Sequence, residues 1–582
     1  MRLATVEERI VLTSRRLKAQ GFGAEVLALG LIVVLSVLVV PPMLGVVYSA
    51  FRKGPTLFEG TTTLENYRSI LSDPNTYGTL ADTFQFAVAT ACLVVAFAGI
   101  LAWLVERTNA PFRRLVYLAI VVAFGVPVIL QGMGWILLLG PRNGLLNVVL
   151  RTVLGSHAPT IPLYSMPAMV FVQSTVLIPT MFLLLAPALR AADPALEEAA
   201  QMSRAPRWQV LRRVTLPLLV PSLMAAVLLS FIIVVESFEI PALIGTPARI
   251  FVLSTEIYGR LRRPSPDYGA ASAFSTLMMI IAMGGLYLYQ GVTARAHRFT
   301  TVTGKGYRPH RLELGPWRWV AGVLTGGLSL ILTMPVLILA WGSFMRVYRP
   351  PSIAALSGLT LENYKTIFAS SWIVQSARNS FILGAASAVV VMVMTFAASW
   401  LVLRRRNPLT KGIDYLVTLP LVVPGVVLSL AVLRTYLVAP VPVYGTPLIL
   451  LIAFVVHYLP YGMRFSHAGM IALHPELEEA AAVGGAPLAV RMRRIVAPLM
   501  WPALLAGGLF VFLASIRQLS LVLFLAGPGN DLITTTIFSL WTEGNITEVA
   551  AFAMPVVVGV ILIAAGLNKV TGGIGVQVDH YR

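Results

Sequence analysis

The sequence predicts an all-α membrane protein of about twelve transmembrane helices, arranged as two parallel, pseudo-twofold six-helix halves. Composition, the length of the apolar runs and an internal repeat predict it. Of the 582 residues, 57% are hydrophobic and only 12% charged, with a mean hydropathy of +0.81; soluble domains hold roughly 45–50% apolar and 25% charged residues. Windows such as 26–50 and 380–403 supply the roughly 20 apolar residues that a helix needs to cross the hydrocarbon. Backbone groups in lipid must be bonded internally, which selects helices over open sheets.

In chain order the expected spans are 24–50, 82–105, 115–139, 166–190, 218–243, 271–293, 319–345, 380–403, 413–437, 446–470, 498–524 and 548–567. A first half (24–293) and a second half (319–567) are joined by a linker (294–318) and flanked by tails, 1–23 and 568–582. Basic loops stay cytoplasmic. The clusters Arg15–Arg16, Arg113–Arg114, Arg212–Arg213, Arg404–Arg406 and Arg493–Arg494 therefore place both termini and the linker inside. The run Arg260–Arg263 is the exception, falling outside with no reason visible in the sequence. Net charge of +19 and a pI near 10.3 read as basic loops beside anionic headgroups, not as a nucleic-acid footprint. The charged N-terminal stretch reads as a cytoplasmic tail, not a cleaved signal. Cys92, alone of its kind, is expected to pack inside a span; Trp135 and Trp501 are expected to anchor span ends at the membrane interface.

The repeat orders these spans. Residues 63–71, TLENYRSIL, recur 297 residues later as TLENYKTIF. At that offset Trp103 falls on Trp400, Arg107 on Arg404, Pro111 on Pro408 and Pro127 on Pro424. A polar segment, LEEAAQMSRAPRWQVLRRVTLP at 196–217, recurs after only 281 residues as LEEAAAVGGAPLAVRMRRIVAP at 477–498. The first half therefore carries 16 extra residues, placed in the outer loop 140–165. Six spans in the same order, entering from the same side, make a parallel repeat.

Each polar copy predicts a short helix. Asp193 and Pro194 start the first, Pro475 the second. Ala205–Pro206 and Ala486–Pro487 end them, because a residue before proline avoids the α region. A basic helix then leads through the paired arginines to Pro217 or Pro498. Ten of the 22 positions are identical, so two copies of one cytoplasmic surface imply two copies of one partner.

The pattern Glu-Ala-Ala, three residues, Gly, then Pro entering the next span resembles the membrane subunits of type I binding-protein-dependent ABC importers. The resemblance covers nearly the whole chain and implies a coupling helix seated on an ATPase subunit. It carries that role to Glu197, Glu198, Ala199, Ala200, Arg204 and Pro206 in the first half, and to Glu478, Glu479, Ala480, Ala481, Gly485 and Pro487 in the second. Arg204 stands where the family pattern has glycine, which admits a positive φ more cheaply. Like that family, the chain has no phosphate-binding G-x-x-x-x-G-K-[ST] motif. It is thus expected to be no enzyme and to bind no cofactor, with ATP and Mg on two partner ATPase subunits and a periplasmic or lipid-anchored binding protein delivering the cargo. Two fused halves, with SFEIPALIG (237–245) and RQLSLVLFLAGPG (517–529), resemble the ferric-iron permeases; polyamine, thiamine and aminoethylphosphonate permeases are the alternatives. The implied location is the bacterial inner membrane.

Charges inside spans are costly and mark function. Glu236 and Glu239 fall in the fifth span, and Glu236 aligns with Arg517 in the eleventh, so an ion pair across the path is the expectation. The seven histidines show no metal-ligand spacing, and no catalytic constellation occurs. A proton- or sodium-coupled transporter also suits two parallel halves, but would not need twin coupling loops.

Overall fold

The computed structural model describes residues 4–54, 60–155, 157–191, 202–204, 206–296, 312–405, 407–437 and 442–570. These are largely helical, and the one sheet among the described residues is a two-residue antiparallel ladder, Arg52–Lys53 with Thr61–Thr62. The first half contributes α1 (Ala4–Ala50), α2 (Glu65–Ser72), α3 (Pro74–Arg107), α4 (Arg113–Gly125), α5 (Val128–Leu139), α6 (Leu145–Leu154), α7 (Met166–Ala191), α8 (Leu216–Glu236), α9 (Leu253–Leu261) and α10 (Tyr268–Ala296). The second contributes α11 (Arg318–Ser343), α12 (Glu362–Ala369), α13 (Ser371–Arg404), α14 (Pro408–Thr418), α15 (Gly425–Leu437), α16 (Pro447–Ile471), α17 (Glu476–Val483), α18 (Ala497–Arg517), α19 (Ile533–Thr542) and α20 (Ile546–Val570).

Ten of the described helices are long and apolar enough to span, and two bent pairs bring the number to twelve. The pairs correct the expected straight spans 115–139 and 413–437: α4 and α5 meet at 110°, and the helical stretch 408–422 meets α15 at 112°. Both breaks fall on the repeated prolines. Val126 and Val423, each before a proline, take extended backbone, as proline requires of its predecessor. Exposed carbonyls at such a break are costly. In the first half the buried Gln131 covers them, its amide donating to the carbonyls of Ala123 (2.8 Å) and Val126 (3.3 Å).

The chain packs as two units that cut across the two repeats. One comprises Met1–Ser49, Gly54–Gly60 and Gln375–Ile533; the other comprises Ala50–Lys53, Thr61–Val374 and Thr534–Arg582. Thus α1 packs with second-half helices, Ser49 accepting from the buried Arg434 at 3.1 Å. In the other unit α11 and α20 pack with first-half helices. There the Thr325 hydroxyl donates to the Pro111 carbonyl at 3.0 Å, and Gly125 lies against Val560.

The duplicated TLENY motif has a local job in each half. The Asn66 amide donates to the carbonyls of Ala50 (3.0 Å) and Arg52 (2.9 Å). Asn363 does the same to Ser343 (3.0 Å) and Met345 (2.7 Å). Each asparagine therefore satisfies carbonyls left open at the end of the preceding span. The threonine amides return to Phe51 and Phe344 at 2.8 and 2.7 Å. The glutamates pair with Lys53 at 2.8 Å and Arg346 at 2.6 Å.

Three further expectations change. Trp135 is buried, 2% exposed, its indole N–H donating to Thr175 at 3.0 Å; it packs inside the unit and anchors nothing at the interface. Trp501 is 58% exposed. Cys92 is exposed on α3 and packs no core. The arginine run 260–263 acquires a partner set in its first member, because Arg260 reaches Glu256 at 2.7 Å, Asp73 at 3.9 Å and Asp267 at 4.0 Å. The extra outer loop is ordered by the buried Asn147, whose amide donates to the carbonyls of Leu139 (2.8 Å) and Ile161 (3.2 Å), while its Oδ1 accepts from the Ile161 amide at 2.7 Å.

Candidate functional site: the twin coupling loops

The second loop is fully described. Pro475 precedes α17, and the amides of Glu478 and Glu479 return to its carbonyl at 3.0 and 3.1 Å. Three glutamates in the first turn, Glu476, Glu478 and Glu479, face the partial positive charge of the helix N-terminus. The helix ends in a Schellman closure: the Gly485 amide donates to Ala482 and the Ala486 amide to Ala481, both at 3.0 Å, with Gly485 at φ +83°. Glycine takes that conformation without a Cβ penalty. Pro487 then turns the chain into extended backbone.

From Leu488 the chain runs helically through Arg517, so the basic segment is continuous with the span. Within it lies a five-residue π-helical stretch, Met492–Val496, and a matching one, Leu211–Thr215, leads into α8. The two stand 281 residues apart, each just ahead of a proline, Pro498 and Pro217. A proline ring presses on the carbonyl four residues back, and a widened turn relieves it.

Of the first loop, Glu197, Glu198, Ala199, Ala200 and the capping pair Asp193–Pro194 lie outside the described residues; Arg204 and Pro206 lie within. Arg204 has φ +57°. Both loops thus turn through the left-handed region at the same aligned position, the first with an arginine there. For a residue with a Cβ this costs roughly 1–2 kcal/mol. Arg204→Gly is expected to tighten the first loop by about 1 kcal/mol, a factor of about five in local opening, seen as slower cleavage by a glutamate-specific protease at residues 197–198. Unchanged or faster cleavage would contradict the strain.

The adjacent glutamates of α17 point differently. Glu479 and Ala480 are exposed, whereas Glu478 is 5% exposed. The Arg404 Nε donates to Glu478 Oε1 at 2.9 Å and the Trp400 indole to Oε2 at 2.7 Å. Arg404 also donates to the Leu473 carbonyl at 2.9 Å. Glu478 is therefore turned inward onto α13, while Glu479 beside it is exposed. The signal was present in the sequence, since Trp103–Arg107 and Trp400–Arg404 recur at the repeat offset.

In the first half α3 and α7 are joined at the loop end by Arg190, which donates to Glu106 at 2.8 and 2.9 Å and to the Tyr117 hydroxyl at 2.7 Å; Tyr117 also donates to Glu106. The linker's described end runs beside Arg107: Leu312 donates to the Arg107 carbonyl at 2.9 Å and pairs with Thr108. Glu236 and Arg517 are the last residues of α8 and α18, at equivalent positions in different packing units. Glu239 follows α8 after a two-residue break, at the start of a helical turn that leads into the π-helical stretch Pro241–Gly245. Among the described residues no three His, Cys, Asp or Glu side chains gather to hold a metal.

The chain is similar to two permease proteins named for ferric transport. That of Haemophilus influenzae is 28% identical over 406 residues, covering 69% of this chain and 62% of the relative. That of Actinobacillus pleuropneumoniae is 26% identical over 452 residues, covering 77% and 64%. The match thus spans under two thirds of the length of each. An ABC transporter permease protein of Sinorhizobium fredii is 27% identical over 508 residues, covering 83% of this chain and 85% of the relative. The family pattern of the binding-protein-dependent transport system inner membrane component matches residues 95–295 and again 394–579, each match enclosing one coupling loop. The chain therefore belongs to that family and carries its membrane unit twice.

Proposed function

We propose that this chain is the pore-forming permease of an ATP-driven importer, and that its cargo is ferric iron. The observation that carries the reading is the duplicated loop: a left-handed turn at 204 and at 485, followed by an identically placed π-helical stretch that continues into a span. Such a loop can pass a push from outside the membrane directly to a transmembrane helix, and two equivalent loops suit a pair of equivalent motors. Two separate ATPase subunits would hydrolyse ATP with Mg, closing on nucleotide and drawing the loops with them. A periplasmic or lipid-anchored binding protein would dock outside, where the ordered 140–165 loop gives the first half a larger surface. The termini and linker would lie inside, a reading supported by the basic clusters of the loops. Similarity to the two ferric-transport relatives supports iron over polyamine, thiamine or aminoethylphosphonate. The test is ATP hydrolysis by the assembled complex in proteoliposomes. An iron-loaded binding protein should stimulate it several-fold and those loaded with the other three ligands should not; equal stimulation by any of them removes the iron assignment.

Glu236 and Arg517 are proposed to pair and close the resting path, with Glu239 as a polar wall. Glu236→Gln and Arg517→Gln, alone and combined, separate this from independent roles. Residues in one network couple by roughly 0.5–3 kcal/mol, so the double variant should leak no more than the worse single one. Strictly additive effects on transport end the pairing.

A further inference from the structure

We infer that the two adjacent glutamates of the second coupling loop divide the work: Glu479 meets the motor, while Glu478 is a positioning residue that fastens the coupling helix to the end of α13. Neighbours on a helix point about 100° apart, so when one faces inward the next faces out. Both Glu478 oxygens accept internal bonds, from Arg404 at 2.9 Å and Trp400 at 2.7 Å, and the side chain is 7% exposed. Trp400 and Arg404 stand four residues apart on the last turn of α13, hence on one face. Arg404 also ties down Leu473, in the turn ahead of α17. The short helix is thus held through its first turn and through the chain leading to it, while Glu479 and Ala480 remain exposed.

The first half carries the same set. Trp103 and Arg107 occupy the positions of Trp400 and Arg404, and Glu197 that of Glu478. Arg107 is 6% exposed, and Trp103 packs against the cluster of Leu104, Ala110 and Ala321. A coupling helix so fastened does not swivel under load, so motion imposed on Glu479 moves the ends of α13 and α18 together. That consequence rests on the importer reading; the anchor does not.

The experiment uses the full chain with Cys92→Ser and a nitroxide label on a cysteine at position 483, where Val483 is 88% exposed. Label mobility and the Kd of the cognate ATPase subunit are measured for Glu478→Gln, Glu479→Gln, Arg404→Gln and Trp400→Phe. For Glu478→Gln and Arg404→Gln the label should tumble at least threefold faster with Kd changed less than threefold. Trp400→Phe, which keeps the ring and the ion pair, should give a smaller gain in mobility and serves if the charge variants do not fold. Glu479→Gln should leave mobility unchanged and raise Kd about tenfold. If Glu478→Gln raises Kd as Glu479→Gln does, with mobility unaltered, the division of labour is overturned; unaltered mobility in Trp400→Phe and Arg404→Gln overturns it equally. Failure of the unsubstituted chain to bind any ATPase subunit refutes the importer reading instead, and the mobility comparison still decides the anchor.

Discussion

Valine in place of Gly134 is expected to push α5 off α11 and to destabilise the purified chain by about 3 kcal/mol, the upper end for overpacking a close interface. A Cβ at Gly134 would stand 2.5 Å from the Pro335 carbonyl oxygen and 2.7 Å from its Cα. Those atoms are backbone and can yield only if a helix moves. Small residues at such crossings let membrane helices approach closely. Gly132, two residues away and so on the other side of α5, is the control: its Cβ would meet the side-chain tips of Leu243 at 2.7 Å and Ile240 at 2.9 Å, which can rotate aside. Gly132→Ala should therefore lower the thermal midpoint much less than Gly134→Val, and equal losses would mean that the α5–α11 contact is not the constraint.

Reversing charge on Glu198 and Glu479, the residues proposed to meet the motor, is expected to have the largest functional effect. Glu479→Lys places a cation on the exposed first turn of α17, next to the partial positive charge of the helix N-terminus. It should weaken capture of an ATPase subunit at the second loop by tenfold or more. Glu198→Lys should do the same at the first loop, and the double variant should abolish transport while leaving the chain folded. Normal transport by the double variant would contradict docking through these residues.

Hydropathy and the repeat were enough to find the ten described helices long and apolar enough to span, the two bent pairs and both loops, because apolar length and sequence identity are carried by single residues. They were blind to direction. A hydropathy window averages across Pro127 and Pro424 and cannot see the chain turn by 110° or 112°, although proline's effect on the preceding residue was there to be weighed. Which glutamate of the pair faces inward also escaped, since an eight-residue helix has no inward face until Trp400 and Arg404 are set beside it. The left-handed turn at 204 was foreseeable from its partner glycine at 485, and the arginine keeps it despite the strain. That α1 packs with second-half helices left no trace in the sequence, because its stretch 26–50 is apolar nearly throughout and marks no single face.

The most direct test is the mass of the complex assembled from this chain and its ATPase subunit, measured intact in detergent. Two ATPase subunits per chain are expected, falling to one with either Glu198→Lys or Glu479→Lys and to none with both. A chain that binds a single subunit, or none, would contradict the claim that each half presents its own docking loop to a motor.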